Sequence, residues 1–167
     1  SSGTLAPAFS SNVISYTAIV ANSVTSITLT PTATDSFATL TVGGNAVSSG
    51  TASTAQPLVI GANALSVLVM AEDGITTRTY SINVTRNSIL QDWEQSHAVI
   101  DLNGDDDGDG IANLAEFAFN LDPHKASPAV VGASTAVNSS DGQTYFMFTY
   151  PRRIAAAGIT YTVQCSS

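Results

Sequence analysis

The chain has 167 residues, of which 44% are hydrophobic and 11% are charged, and its net charge is −8. This apolar content is enough for a buried core, and its strand-like periodicity excludes a disordered chain. The charge is uneven, because residues 92–124 hold nine acidic residues and no Lys or Arg. Without a basic patch or a long apolar run, we expect neither nucleic-acid binding nor membrane insertion.

Residues 1–86 show the alternation of apolar and polar side chains that is typical of β-strands. It is clearest over residues 79–85, where Thr, Ser and Asn separate Tyr, Ile and Val. Asp-Gly at residues 73–74 is a strong hairpin signal, and glycine-rich turns are predicted at 43–45 and 61–63. Short strands with turns about every 8–12 residues favour a β-sandwich. The predicted strands are residues 14–20, 24–34, 37–42, 58–60, 64–71 and 75–85.

Six segments of this region have a characteristic order and spacing, namely residues 2–10, 16–18, 27–33, 63–65, 71–74 and 80–85. In these segments the chain resembles the bacterial cadherin-like, Ig-fold β-sandwich repeats. Members of that family usually begin with one more apolar strand ahead of the Ser-Gly-Thr-Leu stretch at residues 2–5. The resemblance therefore implies an open sheet edge. Either a longer parent protein or a strand donated by a neighbouring copy would fill this edge.

Residues 87–100 change in character and predict a short amphipathic helix with Ser88 as its cap. Trp93 is interpreted as a core residue that packs against the sandwich, and ligand stacking is the alternative. His97 is interpreted as a surface or packing residue, because no second metal ligand lies near it in sequence.

The acidic residues between 101 and 116 follow the spacing of a calcium loop when counting starts at Asp105. Aspartates then occupy loop positions 1, 3 and 5, a glycine that permits a sharp turn occupies position 6, and a glutamate occupies position 12. Calcium takes about six to eight oxygen ligands, which alternate carboxylates and a terminal bidentate glutamate supply well. The predicted ligands of one Ca²⁺ are Asp105, Asp107, Asp109, the backbone carbonyl of Ile111, Asn113 and Glu116.

The loop and the Leu-Asp-Pro that follows it at residues 121–123 resemble the calcium repeats of thrombospondin type 3 and similar bacterial segments. The loop departs from an ordinary EF-hand, since Ala112 stands where an apolar anchor is usual and no partner hand is present. Sensors use paired hands, so a single loop indicates a structural ion. Whether Asp101 and Asn103 bind a second ion stays open.

Residues 128–142 are predicted to be a loop, followed by a hairpin of strands 144–150 and 159–165. This part resembles the terminal β-segment that follows such calcium loops in secreted bacterial proteins. Because Cys165 is the single cysteine, no disulfide can form within the chain.

The sequence thus predicts a mainly β protein: a cadherin-like sandwich (1–86), a helix–calcium loop–helix linker (87–126) and a C-terminal β-hairpin (127–167). We expect a secreted or cell-surface structural or adhesive module that associates with itself or with neighbouring domains. One form of this is a filament built by strand donation. The alternative is a carbohydrate-binding accessory module with a polysaccharide partner. Catalysis is not expected, because His97 and His124 have no nucleophile at suggestive spacing.

Overall fold

The computed structural model describes residues 3–127, 132–137, 140, 142–154 and 158–162. The chain divides into unit 1, Ser1–Ser88, and unit 2, Ile89–Ser167. Strands outnumber helices in both the sequence-based expectation and the structure, so the predicted mainly β class is confirmed. The finer division into three regions stays a prediction.

Unit 1 contains a five-stranded sheet and a separate two-stranded sheet. The five-stranded sheet has the order β1-β7-β6-β3-β4, and β2 pairs with β5. Within the large sheet, β1 and β7 are parallel and the other neighbours are antiparallel. The strands are β1 (Ser15–Val20), β2 (Ser26–Ile27), β3 (Thr39–Val42), β4 (Asn45–Val47), β5 (Gln56–Pro57), β6 (Gly61–Met70) and β7 (Thr77–Arg86).

The core of unit 1 lies on one face of the five-stranded sheet. Along β7 the side chains of Ile82 and Val84 are buried while Ser81 and Asn83 are exposed, which confirms the predicted alternation. Leu58, next to the short β5 strand, completes the buried cluster. Apolar residues from both sheets therefore meet in one sandwich core, whose other buried members are Tyr16, Val20, Val42 and Val67.

Two local predictions for unit 1 met different outcomes. The hairpin at Asp73 is confirmed: its carboxylate accepts hydrogen bonds from the backbone of Ile75 and from the backbone and hydroxyl of Thr76. These hydrogen bonds lower the pKa of Asp73, and the bond from the Thr76 hydroxyl contributes most.

The turn predicted at 61–63 is wrong, because β6 already begins at Gly61. Asn63 lies within the strand. Its Oδ1 accepts a hydrogen bond from Val59 N–H at 2.8 Å, and its Nδ2 donates to the Val59 carbonyl at 2.9 Å.

Unit 2 contains α1 (Ile89–His97), α2 (Asn113–Phe119), β8 (Gly132–Val137) and β9 (Thr144–Thr149). The predicted helix after residue 87 is confirmed, and Trp93 is its buried residue. Trp93 packs against Phe117 with ring centroids 5.3 Å apart, and Val99 joins the same cluster. Trp93 is therefore a packing residue, as the sequence indicated, but the other members of its cluster belong to unit 2 and not to the sandwich.

The C-terminal hairpin has a different partner from the predicted one. The strand predicted at 144–150 is present as β9, but it pairs antiparallel with β8, in a stretch predicted to be a loop. Residues 159–162 belong to no strand of the described chain, and the rest of the predicted second strand, with Cys165, lies outside the described residues. Strand pairing joins residues that are distant in sequence, so strand propensity alone does not select the partner.

Candidate metal centre

Three aspartates of the acidic loop lie close together. Asp105, Asp107 and Asp109 each offer a carboxylate oxygen, and these oxygens lie within 4.8 Å of one another. Like charges at this separation repel unless a cation or protons neutralise them. The alternate spacing of these three residues predicted that their carboxylates lie close together, and the structure confirms it.

The same carboxylates also shape the loop through hydrogen bonds from its backbone. Asp105 accepts from Gly110 N–H at 2.9 Å, Asp107 from Asp109 N–H at 3.0 Å, and Asp109 from Ile111 N–H at 2.8 Å. The bond from Gly110 lowers the pKa of Asp105, since it stabilises the ionised form. Gly110 has φ +91°, which only glycine adopts readily, so the sharp turn at loop position 6 is formed.

Glu116, in α2, carries the unusual electrostatic feature of this loop. Its side chain is fully buried, and neither carboxylate oxygen has a hydrogen-bond partner among the described residues. Burial, and then the negative charges of Asp107 and Asp109, raise the pKa of Glu116 from 4.5 to about 7. Asp107 Oδ2 is also buried, with no partner within the described chain. The unsatisfied oxygens belong to Asp107, a member of the aspartate cluster, and to Glu116, whose oxygens are not among those that lie within 4.8 Å of one another.

Asn113, the predicted ligand at loop position 9, hydrogen-bonds to residues that precede α2. Its buried amide donates to the Asp101 carbonyl at 2.8 Å and to Asp106 Oδ1 at 3.0 Å. Its own Oδ1 accepts from Asp106 N–H at 3.3 Å. The side chain thus braces the turn before the loop against the start of α2.

Asp101 is not part of the aspartate cluster. The Asp101 carboxylate accepts a hydrogen bond from Asn103 N–H at 2.9 Å, which forms a local turn. A second ion at these two residues stays a prediction.

Sequence reasoning missed one contact of the loop. Ser127 N–H donates to Asp109 Oδ2 at 2.6 Å, so the chain after α2 returns to a predicted ligand. The contact spans 18 residues and uses a backbone donor, which every residue except proline possesses. No sequence signal could therefore have identified it.

The donor set fits a hard divalent cation. Asp105, Asp107, Asp109 and Glu116 offer oxygens alone, which suit Ca²⁺ or Mg²⁺ better than zinc, whose sites prefer nitrogen and sulfur. An ion beside Glu116 would satisfy the buried oxygens that have no partner, so the residues present fit such an ion.

Comparison with known proteins classifies unit 1. The family described as cadherin-like beta sandwich domain matches residues 1–87, more than half of the chain. The chain belongs to this cadherin-like family. The predicted resemblance is thereby confirmed for the sandwich. The acidic loop and the C-terminal segment lie outside the match, so their resemblances stay predictions.

A relative from Evansella cellulosilytica, described as "Putative membrane protein", is 38% identical over 102 residues, or 59% of this chain. The chain spans 15% of the length of that relative. No solved structure matches the chain.

Membership of the cadherin-like family suggests an extracellular or surface module of structural or adhesion type. Such domains are generally non-catalytic and commonly bind calcium. Within the described part of the chain, no helix has the length and apolarity of a membrane span.

Proposed function

We propose that the acidic loop binds one Ca²⁺ and that this ion stabilises an extracellular structural or adhesive module. The observation that carries the proposal is the buried carboxylate of Glu116, whose oxygens have no partner in the described chain, beside three clustered aspartates. The proposed ligands are Asp105, Asp107, Asp109, the backbone carbonyl of Ile111 and Glu116. Asn113 stays a predicted sixth ligand, because the hydrogen bonds that brace the loop are donated by its Nδ2, whereas Ca²⁺ would bind its Oδ1.

A cation explains Glu116 better than a proton does. A proton would neutralise Glu116 only up to about pH 7, and it would leave the repulsion among Asp105, Asp107 and Asp109 in place. A divalent ion would be attracted by all four carboxylates at once. Calcium is favoured over magnesium because its flexible coordination tolerates a bidentate glutamate and a backbone carbonyl, whereas magnesium demands a near-ideal octahedron.

Isothermal titration of the chain with calcium, after dialysis against chelator, tests the site. We expect one ion per chain with a dissociation constant of about 10⁻⁴–10⁻³ M, the range of extracellular modules. Glu116→Gln should weaken binding at least about tenfold, because it removes a bidentate charged ligand. Glu72→Gln makes the same charge change at an exposed position of unit 1 and should bind like the wild type. No calcium uptake, or equal binding by Glu116→Gln and the wild type, would refute the proposal.

Self-association by strand addition is the proposed route to a filament. Ala6 already exchanges two hydrogen bonds of 2.8 Å with Thr17 on the outer edge of β1. The opposite edge strand, β4, has β3 as its one neighbour among the described strands. An extended segment of a second copy could therefore pair along β4. Sedimentation of the chain in calcium and in chelator tests this, and a stable monomer over the whole concentration range would exclude it.

Carbohydrate binding is the second candidate, and a groove in unit 2 favours it. The groove has a volume of about 600 Å³ and is lined by Phe119, Tyr150 and Tyr161 together with Asn103 and Thr160. Aromatic faces with amide and hydroxyl groups can recognise a sugar ring. A polysaccharide pull-down that Tyr150→Ala abolishes would support this candidate, and retention by neither protein would exclude it.

A further inference from the structure

Helix α2 depends on contacts at both of its ends. It has seven residues, and isolated helices shorter than about 12–15 residues are marginal in water. Its first residues are held by backbone bonds, from Asn113 N–H to the Gly104 carbonyl at 2.8 Å and from Leu114 N–H to the Leu102 carbonyl at 2.9 Å. The proposed calcium ligand Glu116 lies in the same helix, so anything that holds α2 also places this ligand.

The C-terminal end of α2 is held by residues from much later in the chain. Arg153 donates from its backbone N–H to the Ala118 carbonyl at 2.9 Å and from Nε to the Phe117 carbonyl at 2.8 Å. The Tyr161 hydroxyl also donates to the Ala118 carbonyl. The last carbonyls of a helix have no partner within the helix, and a cation near them is favourable, so these donors cap α2.

Aromatic packing strengthens the same attachment. The Arg153 guanidinium lies 4.5 Å from the centre of the Phe117 ring, within the range of a cation–π contact. Phe119 contacts Tyr150 and Tyr161 with ring centroids 6.2 and 6.4 Å apart. We call residues 150–154 and 158–161 the C-terminal clasp. They contact the C-terminal end of α2, and Glu116 lies in the same helix.

We propose that α2 couples calcium binding to the docking of the C-terminal clasp, with Arg153 and Tyr161 acting as positioning residues for the ion. The proposal rests on the proposed calcium site. An ion at Glu116 holds α2 in place, and the ordered carbonyls of α2 then bind Arg153 and Tyr161. Coupling between two binding events is reciprocal. Docking of the clasp therefore raises the calcium affinity, and calcium binding raises the docking equilibrium of the clasp by the same factor.

The sign of one mutational effect separates this coupling from simple electrostatics. Arg153→Ala removes a positive charge from an acidic protein, which by charge alone should strengthen calcium binding. Coupling through α2 predicts the opposite, because the helix that presents Glu116 loses the hydrogen bond from Arg153 Nε to the Phe117 carbonyl and the cation–π contact with the Phe117 ring. Arg152 is the matched control: it is adjacent, exposed and of equal charge.

Calcium titration of four proteins tests the coupling: the wild type, Arg153→Ala, Arg152→Ala and Tyr161→Phe. Arg153→Ala should weaken affinity about fivefold or more, and Arg152→Ala should leave it unchanged or slightly stronger. Tyr161→Phe keeps the ring and removes a single hydrogen bond, so it should weaken affinity by up to about tenfold without threatening the fold. Equal or tighter binding by both Arg153→Ala and Tyr161→Phe would overturn the coupling.

Hydrogen exchange gives an independent readout on the wild-type chain. Calcium should slow exchange over residues 101–119 and also over the C-terminal clasp. Protection confined to the loop and α2 would overturn the coupling while leaving the proposed calcium site intact. Absence of calcium binding to the wild type would instead remove the site itself.

Discussion

Glu116 occupies a position whose surroundings suit a neutral side chain when no ion is bound. Its carboxylate is fully buried, and its oxygens have no hydrogen-bond partner within the described chain. Burying an ionised carboxylate in this way is strongly unfavourable. The residue therefore links three quantities that can be measured separately: calcium affinity, pH dependence and the stability of the metal-free protein.

The metal-free protein should lose stability as the pH rises. Glu116 has a folded pKa of about 7 against an ordinary 4.5, so between these values the folded state binds a proton that the unfolded state has lost. Stability from this group is complete below pH 4.5 and disappears as the pH passes about 7, a change of about 3 kcal/mol. Denaturant unfolding in chelator, followed by Trp93 fluorescence, measures it. The same slope in Glu116→Gln would assign the effect to another group.

Glu116→Gln should have opposite effects with and without calcium. In chelator at about pH 8 the variant avoids a buried charge and should be more stable than the wild type by about 1–3 kcal/mol. In saturating calcium the wild type should be the more stable protein, because it alone gains the full free energy of binding. Thermal unfolding of both proteins in both buffers tests this, and an unchanged order of stability would contradict it.

Individual residues of the site differed in how far sequence could define them. The grouping of the three alternate aspartates was predicted from their spacing and is present in the structure, whereas Glu116 stays a predicted ligand. Asn113 fits the same spacing, yet its amide is hydrogen-bonded to Asp101 and Asp106. Sequence spacing constrains the position of a residue's Cα. Which hydrogen-bond partners its side chain finds depends on the folded structure around it.

At the scale of elements, the turn of the acidic loop depends on Gly110. A Cβ at this position would meet no atom within 4 Å, so Gly110→Ala is unfavourable only through its backbone conformation at φ +91°. We expect a cost of about 1–2 kcal/mol that appears as weaker calcium affinity. Gly44→Ala is the matched control, since Gly44 has φ +83° and equally open space, in unit 1. It should lower stability without changing affinity; equal losses of affinity in both variants would contradict the assignment.

The long strands of unit 1 were predictable, whereas the strand predicted at 58–60 is absent and the one predicted at 24–34 is reduced to β2. Alternation of polarity identifies β7, because one face is buried and the other is exposed. β8 has the sequence Gly-Ala-Ser-Thr-Ala-Val, whose small side chains give little contrast between faces. Its pairing with β9 is a tertiary choice that local pattern does not encode.

At the scale of the whole molecule, the two units should respond differently to calcium. Trp93, the single tryptophan, lies in unit 2, so its fluorescence reports on that unit. Ile82→Ala opens the core of unit 1 and should destabilise it by about 2–5 kcal/mol. We expect calcium to shift the transition seen by Trp93, and Ile82→Ala to shift a transition seen by far-ultraviolet circular dichroism. A single transition that both changes shift equally would show that the units unfold together.

The parallel pairing of β1 with β7 has a mechanical consequence. β1 is the first strand of unit 1 and β7 is its last, and six residues of each lie side by side. A force that pulls the chain ahead of Ser15 away from the chain beyond Arg86 acts along this pair, sliding one strand past the other. All its backbone hydrogen bonds then share the load, whereas in a peeling geometry they would break one after another. Unit 1 is thus arranged to resist stretching, a property suited to a protein that holds surfaces together.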